Sequence, residues 1–199
     1  MRKQLCEPFE AHVVSFKPQS VKNGSALCIA YISAREVQDR LDDVFGASGW
    51  HCKYREFRSG VMCTLRVRFP DRWVTREDIG SESDQPDEGD RTKAAVSDSL
   101  KRAAVQLGIG RYLYNLDLGW LPWDQSKRQF ASLPPLPEWA LPTPITETQY
   151  REIVALALEV GVSLPTIANH YQVPDLKKLA TRRFTEVMNR LRLKKAAKI

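Results

Sequence analysis

Between Asp90 and Gly110 the chain reads DRTKAAVSDSLKRAAVQLGIG, and its cations are the first place to look for chemistry. On a helix, Lys93, Ser97 and Lys101 fall one turn apart along a polar flank, with Arg102 beside them. Such a flank binds anions, and the Gly-x-Gly that follows raises the question of a nucleotide phosphate. Phosphate-binding glycine loops open a helix, where free N–H groups and the positive dipole end meet the ligand. Gly108 and Gly110 instead close one, and the negative dipole end repels phosphate. No GxxxxGKS/T run occurs in the chain. The glycines are therefore read as a turn that folds Tyr112 and Tyr114 back on the helix. The anion belongs to the cations upstream.

A second set of cations lies on strands. In VMCTLRVRF, residues 61–69, Val61, Cys63, Leu65, Val67 and Phe69 alternate with Met62, Thr64, Arg66 and Arg68. Period-two alternation puts Arg66 and Arg68 on the outward face, joined by Lys53 and Arg55 from the preceding strand. Taken with Lys93, Lys101 and Arg102, these residues predict a basic groove between sheet and helix, suited to a sugar–phosphate backbone. Singly, each cation is equally compatible with a solvated face, and Arg102 with an ion pair to Asp98 one turn back.

Catalytic constellations are sparse. Glu77 and Asp78 are neighbours on a strand, so they face opposite sides and do not share a metal. Serine, cysteine and histidine form no nucleophile motif. The four cysteines, Cys6, Cys28, Cys52 and Cys63, contain no CxxC pair, and His51–Cys52 opposite Cys63 lacks a fourth ligand. The chain is read as non-enzymatic, with no metal and no cofactor.

The elements that must position these residues follow from the patterns around them. With 199 residues, 43% hydrophobic and 27% charged, the chain has the composition of a soluble protein and no apolar run of membrane-spanning length. A cytoplasmic, nucleoid-associated location is the matching expectation. The net charge of +6 favours a polyanionic partner, and it is sorted by region. Residues 77–90 carry only negative charges, whereas the tail from Lys177 is rich in Lys and Arg.

AHVVSF and ALCIAYI predict short strands around the turn KPQSVKNGS. Ser33 and Glu36 form a capping box for a helix carrying Val37, Leu41 and Val44, which Gly46 stops. Strands at HCKYREFR, VMCTLRVRF and WVTREDI form a meander through the Ser59–Gly60 turn. Asp90 caps a helix over Arg91–Leu107 whose apolar stripe is Val96, Leu100, Ala103 and Leu107. Residues 120–145, with six prolines and three tryptophans, predict a semi-rigid linker. Thr146 and Gln149 cap a helix that Gly161 ends, and further helices are expected at Leu164–His170 and Leu176–Leu193. The fold class is therefore α+β: an antiparallel β-meander packed on a long helix, a Pro-rich linker and a small C-terminal helical module. The domains are residues 1–119, 120–145 and 146–199.

AYISAREVQDRLDDVFGASGW, VTREDIG and SDSLKRAAVQLGIGRYLYNL, in that order and at those spacings, resemble the Rad52/22 single-strand annealing family. The resemblance spans about residues 8–140. It implies a helix, an antiparallel sheet and a long helix stacked side by side in a cyclic homo-oligomer. Single-stranded DNA would run in a basic groove on the rim, backbone inward, without nucleotide or metal. By position, Lys101, Arg102 and Lys93 match the family's phosphate-contacting cations, and Arg35 stands one residue from another. Val105 replaces an arginine of eukaryotic members. The acidic residues 81–90 replace a more basic stretch, which argues against a second, duplex-binding site.

The function expected is single-stranded DNA binding in recombinational repair, protecting ends or annealing strands without ATP, with other repair proteins as further partners. Lys177, Lys178, Arg182 and Arg183 are auxiliary DNA-binding candidates. The competing readings are a sequence-specific duplex binder, in which ALEVGVSLPTIANHY forms a helix-turn-helix, and a metal-dependent nuclease at Glu77 and Asp78.

Overall fold

The computed structural model describes residues 1–58, 60–83 and 87–197, so Ser59 of the expected turn and residues 84–86 of the acidic stretch lie outside it. The described chain divides into two compact units, residues 1–140 and 141–199.

In the first unit, strands β1 (Ser15–Lys22) and β2 (Ser25–Tyr31) form a hairpin, followed by helix α2 (Ala34–Phe45). A short helix, α1 (Arg2–Cys6), precedes them. The hairpin turns at Asn23 and Gly24, both at positive φ, as a two-residue reversal matching strand twist requires. Residues 17–22, expected in the turn, are therefore strand. Pro18 is tolerated because β1 is an edge strand, and the register shifts between Pro18 and Ser20.

Helix α2 starts as expected, with the Ser33 hydroxyl accepting the Glu36 N–H at 3.3 Å. It buries Val37 and Leu41, and with them Arg40. The Arg40 guanidinium donates to the carbonyls of Gln4 and Glu7 at 2.8 and 2.7 Å and lies 4.2 Å from the centroid of Phe9. A buried cation so bonded pins the N-terminal segment to α2.

Strands β3 (Trp50–Phe57), β4 (Gly60–Arg68) and β5 (Trp73–Ser81) form the antiparallel meander. Cys63, Leu65 and Val67 are buried on its inner face, as the alternation requires. Helix α3 (Glu88–Val105) packs over β4 and β5 on that face. It begins three residues earlier than expected because Asp87, not Asp90, is the cap. Asp87 accepts the Asp90 N–H at 2.9 Å, and Asp90 lies in the first turn, where the dipole favours an acid.

The buried line of α3 is Ala95, Ser99, Leu100, Ala103 and Ala104. Val96 and Leu107, expected in the stripe, are only partly buried. Close approach to β5 is the reason. A Cβ at Gly80 would collide with the Ala95 carbonyl and the Ser99 amide, so small residues occupy the crossing.

The helix ends in a Schellman arrangement. Gly108 donates to the Val105 carbonyl at 2.9 Å and Ile109 to that of Ala104 at 3.3 Å. Arg111 then turns back and donates to the Val105 and Gln106 carbonyls, each at 2.7 Å. This cation neutralises the helix's negative end. Tyr112 packs against the core and accepts the Phe9 N–H at 3.0 Å. Tyr114, expected to fold back as well, is 73% exposed.

The stretch expected as a linker begins with structure. β6 (Trp120–Asp124) pairs with β2, and β7 (Gln129–Phe130) with β6, giving the order β1-β2-β6-β7. Pro122 masks this strand in the sequence, but the backbone bonds it cannot donate are made by its neighbours, such as Trp123 N–H to the Gly24 carbonyl.

In the second unit, α4 (Glu147–Val160) carries the full Thr146–Gln149 capping box and ends at Gly161, φ 68°. α5 (Leu164–His170) and α6 (Phe184–Ala196) complete it around Ile153, Ala157, Leu176, Leu179 and Val187. The helix expected over 176–193 is interrupted. Leu179 accepts the Ile145 N–H and Thr181 donates to the Thr143 carbonyl, each at 2.8 Å, which holds residues 179–181 out of a helix.

Candidate nucleic-acid interface

α3 offers one flank to the meander and another to the hairpin. Where that second flank faces β1 and β2, a cavity of about 340 Å³ opens. Ile32, Val37, Ile109 and Leu113 are among its apolar lining, and Lys17, Tyr31, Lys101, Arg102 and Tyr114 among its polar and aromatic lining.

Lys101 is mostly enclosed there, its side chain 24% exposed, with Asp98 at 3.9 Å. Its Nζ lies 5.6 Å from the centroid of the Tyr31 ring, and Lys17 Nζ lies 5.5 Å from the same centroid. Burial lowers the Lys101 pKa and the Lys17 charge lowers it further, against the opposing pull of Asp98. Two ammonium groups at one ring, with a single acid beside them, make a site that an incoming anion relieves.

Arg102 pairs not with Asp98 but with Asp78 of β5, Nε to Oδ1 at 3.0 Å. That bond raises the Arg102 pKa. Burial pushes the Asp78 carboxyl up, but the Ile79 amide, Arg102 and Gln106 together hold it below its ordinary value. Arg102 thus ties helix to sheet while lining the cavity.

The remaining cations are elsewhere. Lys93 is solvent-exposed and paired with Asp90 at 3.1 Å. Arg35 is exposed in the first turn of α2 and does not line the cavity. Lys53, Arg55, Arg66 and Arg68 share the outer face of the meander, as the register Lys53↔Thr64, Arg55↔Met62 and Arg66↔Thr75 dictates. α3 packs on the inner face, so the single groove expected from both sets does not form. Arg66 instead lies 5.4 Å from the centroid of Trp73, and Arg55 Nη2 is 2.9 Å from Met62 Sδ.

In the second unit, Lys177 pairs with Glu147 at 3.6 Å and Arg183 with Glu186 at 3.1 Å. Lys178 is exposed and Arg182 half-buried. α4 and α5 meet at a bend of 114°.

Glu77 and Asp78 face opposite sides, as alternation requires: Glu77 accepts from Thr64 at 2.6 Å on the outer face and Asp78 from Arg102 on the inner. His51 likewise stands on the outer face, away from Cys52 and Cys63. Among the described residues no group of three metal-ligating side chains converges, and no single helix is long and apolar enough to cross a membrane.

Lys17 and Tyr31 do not stand out as site residues in the sequence, and Tyr114, expected to brace α3, is exposed at the cavity instead. Lys17 falls in the segment expected as a turn, and Tyr31 reads as one more residue of the expected strand ALCIAYI, so neither is marked by its local pattern.

Comparison with known proteins fits this layout. A family model described as Rad52/22 family double-strand break repair protein matches residues 1–130. A relative from Deinococcus deserti, named single-stranded DNA-binding protein DdrA, is 45% identical over 144 residues, covering 71% of this chain and 70% of the relative. The protein of the same name from Deinococcus radiodurans is 44% identical over 146 residues, covering 71% and 68%. The matched residues contain the hairpin, the meander, α3 and the cavity between them, and with that extent of agreement the chain belongs to the Rad52/22 family of double-strand break repair proteins.

Proposed function

We propose that this protein binds single-stranded DNA in double-strand break repair, holding the sugar–phosphate backbone at the cavity between the β1–β2 hairpin and α3. The observation that carries the reading is the convergence of Lys17 and Lys101 on Tyr31, with Arg102 lining the same cavity. Phosphates supply the negative charge this cluster lacks, and Tyr31 and Tyr114 offer rings to bases. Val105 also lines the cavity. Lys17, reaching in from the hairpin, supplies a cation where the eukaryotic arginine is missing.

Lys93 and Arg35 extend the track along the backbone, and the Lys53, Arg55, Arg66 and Arg68 face is a separate cationic surface. The protein works by binding, with no chemistry on the DNA, and protects ends or anneals strands. Copies assemble into a cyclic homo-oligomer, which gives the edge strands β1, β3 and β5 partners. Lys177, Lys178, Arg182 and Arg183 add auxiliary contact, Lys178 the most readily because it is exposed and, unlike Lys177, is not engaged with Glu147.

Fluorescence anisotropy with a labelled oligothymidylate and a duplex of equal length tests the reading. Single strands are expected to bind more tightly, and Lys101→Ala with Arg102→Ala to weaken that binding for all sequences alike. Equal binding by the double variant at several salt concentrations would place the strand elsewhere. Light scattering tests the assembly, and a monomer at micromolar concentration would exclude the ring.

A further inference from the structure

Away from the cavity, the inner face of the meander carries a second chemical cluster. α3 covers β4 and β5, while β3 is an edge strand paired on one side only. Cys52 on β3 is half-buried, Cys63 on β4 is 0% exposed, and Tyr54 on β3 is 40% exposed. The register sets Tyr54 opposite Cys63 and Cys52 opposite Leu65, so the two thiols are diagonal neighbours on one face. The Cys52 thiol donates to the Tyr54 hydroxyl at 3.2 Å, with the Cys63 thiol as its diagonal neighbour on β4.

We propose that Cys52 is a peroxide-reactive thiol, oxidised to a sulfenic acid at the edge of the meander, with Cys63 and Tyr54 as the groups that activate it. When Cys52 loses its proton, the Tyr54 hydroxyl 3.2 Å away and the neighbouring Cys63 thiol can turn to donate to the sulfur, which favours the thiolate, the species that attacks. The neighbouring Cys63 thiol is the larger influence, and with Tyr54 it outweighs burial to bring the Cys52 pKa down to about 6. Its partners move the other way: Cys63 is raised by the bond to Cys52 and by burial, Tyr54 chiefly by burial. Both therefore keep their protons and can donate to Cys52 once it ionises.

In the reaction a sulfur lone pair attacks one oxygen of hydrogen peroxide. The S–O bond forms, the O–O bond breaks, and hydroxide leaves and is protonated to water. Cys52 loses two electrons and the peroxide gains them. A partly exposed thiolate beside a second cysteine is the arrangement of redox-responsive sites.

The pH separates this site from an ordinary thiol. A thiol of pKa about 6 is about half thiolate at pH 6, against about 0.3% for one of pKa ~8.5. The lower basicity of its sulfur returns roughly a tenfold loss in nucleophilicity. The net advantage is about tenfold at pH 6 and shrinks to about twofold at pH 7.

The full-length protein is treated at pH 6 with sub-stoichiometric hydrogen peroxide and dimedone, and adducts on the four cysteines are quantified by peptide mass spectrometry. Cys52 is expected to label about tenfold faster than Cys6, the exposed thiol. Tyr54→Phe should slow Cys52 labelling severalfold with an unchanged circular dichroism spectrum. Cys63→Ser, whose hydroxyl still donates, should keep the Cys52 adduct while removing any route to a Cys52–Cys63 disulfide. Labelling led by Cys6 or Cys28, or a Tyr54→Phe rate equal to wild type, would overturn the assignment.

Discussion

Lys17 and Lys101 hold their ammonium groups within 5.5 and 5.6 Å of the centre of one ring, that of Tyr31. One comes from the edge strand β1 and the other from the last turns of α3. The ring's negative face attracts each cation, yet the two repel one another, and burial adds to the cost of the Lys101 charge. This local imbalance, rather than the number of cations on the surface, singles out the cavity.

A strand that binds there releases one counterion set per neutralised phosphate. Lys17→Ala and Lys101→Ala are each expected to weaken single-strand binding and to lower the salt slope by roughly 0.7. Lys93→Ala, which removes an exposed charge already paired with Asp90, should change the slope less. Anisotropy titrations at four or more salt concentrations give the slopes directly. A Lys93 effect equal to that of Lys101 would mean that the strand follows the exposed flank of α3 instead.

Asp78 makes a prediction about acid. Its folded-state pKa is depressed, so the stability it contributes is present above the unfolded value near ~3.9 and is lost as pH falls through the lower folded value. Asp78→Asn should therefore cost about 1–2 kcal/mol at neutral pH, a figure tempered by the half-exposed Arg102. The difference from wild type should shrink in acid below pH ~4. Urea titrations at pH 7 and pH 3 check this, and a constant difference at both would show that the carboxylate charge is not what matters.

The meander was legible because strict alternation needs no tertiary context: Cys63, Leu65 and Val67 face in and Arg66 and Arg68 face out, as read. Capping by Ser33 and by Thr146 was equally local. The candidate site was only half legible. Lys101 and Arg102 stood out by their spacing, but Lys17 and Tyr31 join them through a fold contact between distant segments. β6 was hidden by Pro122 and its tryptophans, and the earlier start of α3 by competition among several acids for the cap. Arg66 and Arg68 were placed on the correct face, but which face receives α3 is decided by packing at Gly80, a residue with no side chain to advertise it.

That crossing sets a further expectation. Gly80→Ala would drive a methyl group into the backbone of Ala95 and Ser99, which cannot rotate away. Overpacking of this kind costs about 1–3 kcal/mol and should loosen α3 from β5. Gly110→Ala acts differently: φ is 67°, and the new Cβ would stand 3.0 Å from Ile32 Cδ1 at the cavity floor. A left-handed alanine costs about 1–2 kcal/mol. Thermal melts should rank both below wild type. Full stability of Gly80→Ala would show that α3 does not sit against β5 as described.

The division at Ala140 and Leu141 makes the last prediction. Residues 141–199 contain ten lysines and arginines against five acids, so this unit holds most of the chain's net charge of +6. Its core, around Ile153, Ala157 and Val187, is its own, as is that of residues 1–140. A chain ending at Ala140 should therefore remain folded and keep the cavity, Lys17, Tyr31 and Lys101 included. It should still prefer single strands to duplex. If the removed cations take part, affinity should be weaker and the salt slope shallower, by roughly 0.7 for each phosphate no longer neutralised. Pro122 and the pairing of β6 with β2 mark where a shorter cut becomes harmful. Ending the chain at Gly119 removes that strand and exposes the edge of β2, so it should aggregate. Comparing the two truncations by circular dichroism, light scattering and anisotropy decides the matter. A soluble, fully binding chain that ends at Gly119 would return β6 to the linker, and an insoluble chain that ends at Ala140 would make the helical unit part of the core.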